Sequence, residues 1–446
     1  MKMLIRFKVG NFLSFDEPQE LSMISGETRN HLDHIHRFEN INILRTSAIY
    51  GANASGKSNL IKAFKESKQM ITMGRPIHSN KYFRPSVMKK DKPSYFEYEF
   101  ENGGKYYSYG FEFLPSKQKI ESEWLYELEP ERENRVFFQR TGNKIDHSFE
   151  GDDRTRMDIY AADMQNSDST LFLREMNRKT RKDEKGLSVF SDVFRWFSQS
   201  MKVFNSEVFL YDKPKFTKDE KEIVVGLLRS LDTGITDICY ELVENVEDFF
   251  PERMLNEIQE ELIRNKNKNS ENDGSFIRGS YFLSLSEDND LIMKKLVFKH
   301  GSTDVSFDME EESEGTQRLY ELLAMIVSKE EDSVYILDEL DLKLHPLLTF
   351  KFVDMFLNRK AGTKNQLIFT CHESNLMDFE LLRRDEIWFV QKNEDESSSL
   401  YSLEDFNERT DRKIDKAYLE GRYGGVPIFS TLFPVSSCDR NEAEGK

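Results

Sequence analysis

The sequence predicts an α/β fold: a mixed sheet flanked by helices, with a β-rich lobe and an inserted helical lobe. Three observations carry this. A glycine-rich stretch, Gly51 to Ser58, separates the apolar run Ile41 to Tyr50 from the helically spaced Leu60, Ile61 and Phe64. A second apolar run, Ser333 to Leu337, ends in the adjacent acids Asp338 and Glu339. From Ser94 to Leu128 the chain is aromatic and alternating, with Tyr95, Tyr98, Phe100, Tyr107, Tyr109, Phe111 and Phe113.

The elements follow in order. Ile5, Phe7 and Val9 alternate with Arg6, Lys8 and Gly10, a half-buried strand. Asn11-Phe12-Leu13-Ser14-Phe15 reads as a turn into a second strand. Ile41 to Tyr50 reads as one buried strand and Lys57 to Met70 as a helix. These make residues 1–75 the first part of the α/β domain. Residues 76–162 are expected to form the β-rich lobe, with Asn102-Gly103-Gly104 as a hairpin turn. Residues 163–290 are charged and read as a helical insertion, with a polar loop at Asn265 to Ser275. The tract is too short and irregular for a long coiled coil. Strands resume at Leu296-Val297-Phe298, and 291–432 form the second α/β half. Glu386 to Val390 is expected as the last strand of the sheet, and 433–446 as a flexible tail.

Composition bounds the function. Of 446 residues, 38% are hydrophobic, enough for a sizeable core. No apolar run reaches the roughly 18 residues of a membrane span, and Met1 to Phe7 alternates instead of building a leader's apolar block. Three scattered cysteines, Cys239, Cys371 and Cys438, fit a reduced cytoplasm better than a disulfide scaffold. A net charge of −17 argues against a general nucleic-acid binder.

The chemistry is concentrated in four places. Gly51-Ala52-Asn53-Ala54-Ser55-Gly56-Lys57-Ser58 fits the phosphate-binding pattern G-x-x-x-x-G-K-[ST] in full. Its glycines let the backbone curl until N–H groups face phosphate oxygens, and the following helix adds its positive end. Lys57 offers a point charge to the β- and γ-phosphates, and Ser58 a hydroxyl to Mg²⁺. Gly51 to Ser58, with Asn59 after them, are the expected contacts to ATP. Asp338, at the end of its strand, is expected to hold Mg²⁺, and Glu339 to orient and activate the attacking water. His372 follows the short strand Gln366 to Thr370, where it can reach a γ-phosphate or polarise that water. Finally, Glu312-Ser313-Glu314-Gly315-Thr316 precedes a helix over Gln317 to Val327. Ser313 or Thr316 can cap that helix. Beyond capping, Ser313, Gly315 and Thr316 would present hydroxyls, N–H groups and a dipole to a γ-phosphate held by another copy.

This order of motifs resembles P-loop ATPases of the ABC type, of the SMC, RecF and OLD kind. Asn11 to Phe15, Glu312 to Thr316, Asp338-Glu339-Leu340-Asp341, Leu344-His345-Pro346, Phe369-Thr370-Cys371-His372 and Tyr418 to Pro427 resemble a bacterial and archaeal AAA-type ATP-binding family within that group. The resemblance implies ATP hydrolysis with Mg²⁺ at sites shared in a homodimer or higher oligomer. It implies that Asp341, Leu344 and His345 lie in the loop that crosses to the partner. It also implies a Mg²⁺-sensing glutamine, for which Gln165 is the candidate and Gln139 the alternative. The insertion is far shorter than SMC arms. Members of the resembled family often serve anti-phage or abortive-infection systems, PARIS among them, beside a separate effector protein. A RecF-like DNA-binding ATPase and a non-hydrolysing ATP-binding scaffold are the competing readings, and Glu339 argues against the second. A nuclease domain of the OLD kind needs on the order of 100 residues, and the stretch after His372 carries no such pattern.

Weaker signals remain. His31-Leu32-Asp33-His34-Ile35-His36 crowds four possible metal ligands into six residues. Zinc asks for tetrahedral reach and more widely spaced ligands, so the segment reads as a polar loop near the nucleotide. Arg174, Arg178, Lys179, Arg181 and Lys182 form one basic run, and Arg75, Lys81, Arg84, Lys89 and Lys90 another. Most such runs are solvated faces, with DNA contact the alternative. Cys371 reads as a small core residue.

Overall fold

The computed structural model describes residues 2–129, 132–164, 167–180, 185–205, 217–266, 274–277, 281–301, 305–327, 331–359, 364–406 and 414–425. The chain opens with β1 (Lys2–Gly10), β2 (Gln19–Ser22), β3 (Ile35–Arg37), β4 (Asn42–Leu44), β5 (Thr46–Tyr50) and α1 (Lys57–Met73). A meander follows: β6 (Ser94–Asn102), β7 (Lys105–Leu114), β8 (Lys119–Leu128), β9 (Arg135–Thr141) and β10 (Lys144–His147). Then come α2 (Gly151–Asp163), α3 (Phe172–Lys179), α4 (Ser188–Arg195), β11 (Met201–Phe204), α5 (Lys218–Ser230), β12 (Ile235–Leu242), α6 (Glu252–Lys266), β13 (Gly274–Ile277) and β14 (Tyr281–Leu285). The last part holds β15 (Leu291–His300), β16 (Ser306–Asp308), α7 (Glu314–Val327), β17 (Val334–Leu337), α8 (Pro346–Arg359), β18 (Gln366–Thr370), β19 (Ile387–Lys392), β20 (Ser398–Ser402) and α9 (Ile414–Leu419).

The central sheet runs β11-β17-β18-β5-β19-β20. Its first five strands are parallel and β20 is antiparallel. Every residue of β5, β17 and β18 is buried, as strands covered on both faces require. The second sheet, β10-β9-β8-β7-β6-β1-β2, is antiparallel and packs its aromatic face on α1 and on the segment after α4. Phe7 stacks on Phe64 at 3.8 Å and Phe100 on Trp196 at 4.3 Å. Each such fully buried ring is worth about 1.5–3 kcal/mol in transfer alone. The buried Gln366 side chain ties the sheets together: it accepts from Leu4 N at 2.6 Å and donates to the carbonyls of Leu4 and Leu44 at 3.0 and 2.9 Å.

The α/β class agrees with the expectation; several details differ. The first segment and the aromatic lobe are one sheet, because β1 pairs with β6 along its length. Ile41 to Tyr50 is two strands, broken at the fully buried Arg45, which donates to Leu357 O at 3.0 Å. The expected helical insertion is mixed. Its β12, β13 and β14 join β15 and β16 in a third sheet, and β11 completes the central one. Charges on one face, Asp237 and Glu241, masked β12, and a four-residue strand such as β11 carries almost no periodic signal. Ile387–Lys392 is not the last strand; β20 pairs beyond it. The expected tail at 433–446 lies outside the described residues.

Candidate functional site

The glycine loop leaves the carboxyl end of β5, and α1 begins at Lys57. At Gly56, φ is +119°, and a Cβ would lie 2.3 Å from Ser398 Oγ and 2.8 Å from Ser14 Oγ. Only glycine fits there. Those two serines brace the loop from outside. Ser398 Oγ donates to Ser55 O at 2.6 Å, and Asn59 Nδ2 donates to Ser14 Oγ at 2.9 Å. The Asn59 amide is therefore engaged within the fold. Asn11 holds this corner: its amide donates to the carbonyls of Lys89, Lys92 and Pro93, and its Oδ1 accepts from Phe83 N. The opening Asn11-to-Phe15 motif thus buttresses the phosphate loop. Ser398 was not foreseen, because a serine inside a serine run carries no pattern.

Lys57 Nζ donates to Gly51 O at 2.7 Å and Ala52 O at 3.2 Å. Burial holds its ammonium below the ordinary lysine range, against the pull of Asp338, Asp341 and Glu339.

The strand order places the remaining chemistry. β18 lies between β5 and β17, so its carboxyl end faces the loop on one side and the acids on the other. Ser58 Oγ donates to Asp338 Oδ1 at 3.2 Å. Thr370 Oγ1 donates to the same oxygen at 2.7 Å and accepts from Glu339 N at 2.7 Å. Glu339 has φ +50°, a left-handed conformation in which such backbone strain accompanies function more often than chance. Its Oε1 lies 3.9 Å from His372 Nε2, while His372 N donates to Asp341 Oδ2 at 2.9 Å. The Ser58 hydroxyl and Asp338 carboxylate form a hard oxygen set that suits Mg²⁺. Thr370 is the residue that sequence reasoning passed over, although it stands two positions before His372.

Ser313 and Thr316 lie at the start of α7. Ser313 Oγ accepts from Thr316 N at 3.1 Å and lies 2.8 Å from Thr316 Oγ1. A Cβ on Gly315 would meet Lys343 O at 2.8 Å, so the helix start backs onto the loop after Glu339. Lys343 Nζ also pairs with Glu314 at 2.7 Å. Ser313 and Glu314 are exposed. In the loop expected to cross to a partner, Leu344 is buried in its own core, whereas His345 and Leu347 are exposed.

Other expectations divide. Gln165 lies outside the described residues, and Gln139 is exposed on β9, paired opposite Trp124. The histidine segment is not near the phosphate loop. Arg45 N donates to His34 O at 2.9 Å, which puts the segment at the amino end of β5, whereas the loop leaves the other end. The basic runs are partly neutralised: Lys179 pairs with Asp163 and Glu175, Arg178 with Glu175, Lys81 with Glu66, and Lys89 with Asp16 and Glu17. Arg181 and Lys182 lie outside the described residues. Cys371 is buried, and burial pushes its thiol well up. A cavity of about 490 Å³ opens beside the phosphate loop, lined by Ala52, Asn53 and Ser55 and, facing them, by Gln391, Lys392 and the turn from Leu419 to Gly425. Among the described residues no helix is long and apolar enough to cross a membrane.

No curated protein matches the sequence. Among solved structures, an SMC head bound to the C-terminal winged-helix domain of ScpA is similar at 15% identity and a TM-score of 0.42, over 90% of this chain and 98% of that one. The SMC head domain of Thermotoga maritima matches at 14% and 0.35, over 90% and 98%. An SMC head with an extended coiled coil, bound to the C-terminal domain of ScpA from Pyrococcus furiosus, matches at 16% and 0.40, over 95% and 100%. A family model, described as "AAA domain, putative AbiEii toxin, Type IV TA system", matches residues 47–378, a span that runs from β5 through Ser313 to beyond His372, and the chain belongs to that AAA family.

Proposed function

We propose that the chain is an ATP-hydrolysing switch whose sites are completed between two copies, and that its ATP state controls a separate effector protein in an anti-phage defence system. The observation that carries the reading is the convergence of Ser58, Asp338, Thr370, Glu339 and His372 at the adjoining ends of β5, β17 and β18. Lys57 exchanges its two loop carbonyls for phosphate oxygens. Ser58 and Asp338 would hold Mg²⁺, which would neutralise charge on the phosphates. Glu339 takes the proton of the attacking water, and His372 stands beside it. The cavity facing Gly421 to Gly425 is of the size that takes a nucleoside.

Ser313 accepts from Thr316 N at the start of α7, and its exposure leaves that helix start open to a partner's γ-phosphate. The effector role rests on the family's description as a toxin–antitoxin component and on the resemblance to defence ATPases. A scaffold that merely binds ATP has no use for Glu339, and the ion pairs within the basic runs weaken a direct DNA role. In the test, Lys57→Ala abolishes ATP binding or hydrolysis, and Glu339→Gln retains binding, slows hydrolysis at least about 100-fold and traps the ATP-bound dimer. Normal turnover in Glu339→Gln would remove Glu339 from its role. Plasmid cleavage by the highly purified chain would overturn the need for a separate effector.

A further inference from the structure

His31, Asp33 and His34 stand together at the amino end of β5, each offering one ligand atom, all within 4.8 Å of one another. We infer that they form a binding site for a late first-row divalent cation of the Zn²⁺ class, separate from the nucleotide site.

Three observations carry this. First, each histidine has one ring nitrogen already tied. His34 Nδ1 lies 3.1 Å from both oxygens of the buried Glu386, and His31 Nε2 lies 2.7 Å from Phe379 O. A carboxylate and a backbone carbonyl are the outer partners that metal-binding histidines use. They fix the tautomer and leave the opposite nitrogen as a lone pair. A carbonyl can only accept, so His31 Nε2 carries the hydrogen and His31 Nδ1 is the free donor to a metal.

Second, the ring centres lie 4.8 Å apart with the ring planes 21° from parallel, so one ion reaches both nitrogens once the half-buried His31 ring turns toward that of His34. Two imidazoles on one tetrahedral or octahedral ion place their centres about 4.5–5.2 Å apart, from metal–nitrogen distances near 2.0–2.1 Å. Third, the ligands differ in freedom as a closing site needs. His34 is buried and fixed, His31 is half-buried with φ +47°, and Asp33 is exposed. Ligand atoms on a tetrahedral ion sit about 3.3 Å apart, so the spread of up to 4.8 Å closes by movement of the exposed Asp33 and the half-buried His31. Two imidazoles and one carboxylate select Zn²⁺ and its neighbours over Mg²⁺. The bound ion would pin the segment before β4 to the stretch from Phe379 to Glu386 that leads into β19.

The competing account is a protonated His34 ion-paired with Glu386 beside a stacked His31, with no metal. The experiment uses the full chain, stripped with EDTA and free of nucleotide. Zn²⁺ is titrated by calorimetry, and Co²⁺ by its visible ligand-field absorption. The expected result is one Zn²⁺ per chain, with a rise in Tm. Asp338→Asn retains that binding. His31→Ala and the exposed Asp33→Ala weaken it at least about 10-fold and lose the Tm rise, while both stay folded by circular dichroism. Absence of Zn²⁺ binding to the wild-type chain, or binding unchanged in Asp33→Ala and His31→Ala, overturns the site. Neither outcome touches the ATP reading, because the two sites lie at opposite ends of β5.

Discussion

Thr370→Val isolates the joint between the acids. The side chain is fully buried and its hydroxyl makes two 2.7 Å bonds, one to the Asp338 carboxylate and one from Glu339 N. Valine keeps the shape and removes both. A hydrogen bond to a charged group contributes about 1.5–3 kcal/mol, and a buried N–H left unpaired costs about 1–3 kcal/mol. The first loss frees Asp338, the second frees a Glu339 backbone already held at φ +50°. If about 1.4–2.8 kcal/mol of this is felt in the transition state, kcat falls about 10–100-fold. ATP binding changes little, because Lys57 and the loop do not touch Thr370. Steady-state hydrolysis gives kcat and KM, and a fluorescent nucleotide gives Kd. Thr370→Ser keeps the hydroxyl and restores the rate. A folded Thr370→Val with wild-type kcat refutes the argument, as does a Thr370→Ser variant that is equally slow.

Two further outcomes are expected. Lys57→Ala and Ser313→Arg chains, each inactive alone, regain hydrolysis on mixing; random exchange makes half the dimers mixed, each with one intact site, so about a quarter of the wild-type rate returns, and no recovery means Ser313 serves its own chain. Lys68 is pushed down to about 8 from 10.5 by burial and by the nearby Lys202; the unfolded chain holds the extra proton between those values, so stability rises with pH across that window and is lost as pH falls through about 8. Lys68→Met flattens the rise and stabilises the chain near pH 7 by about 2 kcal/mol, the roughly 3 kcal/mol of relieved burial less the lost bond to Met201 O, and denaturant midpoints at about pH 7 and 9.5 that shift as in the wild type count against it.

Legibility in the sequence followed physical demand. The glycine loop between β5 and α1 and the acids ending β17 were readable as strand ends because a dense motif constrains residue type at every position of a short stretch. The fold class was readable because parallel strands buried on both faces must be continuously apolar, as in Tyr335-Ile336-Leu337. Thr370 and Ser398 were not, because a single hydroxyl gains its role from strands far away in sequence. The third sheet was missed because its solvent side carries Asp237, Glu241 and Lys295, charges that read as a helical surface until pairing shows their common face.

The start of α7 and the pair Glu339 and His372 are joined within one chain by close contacts. Gly315 lies against Lys343 O with no room for a methyl group, and Lys343 follows Asp341 by two residues. Asp341 holds the backbone of His372, and His372 stands 3.9 Å from Glu339. A force on Ser313 from a partner's γ-phosphate would therefore arrive, through four adjacent groups, at the residues acting on the chain's own ATP. Such a contact chain supplies a route, while coupling itself requires two arrangements of the linking element. The loop from Glu339 to Lys343 has the means for two: Glu339 and Lys343 both have left-handed φ, at +50° and +65°, and His345 and Leu347 beyond them are exposed. A non-glycine residue held there gains free energy on returning to an ordinary conformation. The single chain already holds this arrangement; under the proposed pairing, a partner docked against the loop would keep it in place, and with it an aligned Glu339, so that paired chains would hydrolyse ATP faster than single ones.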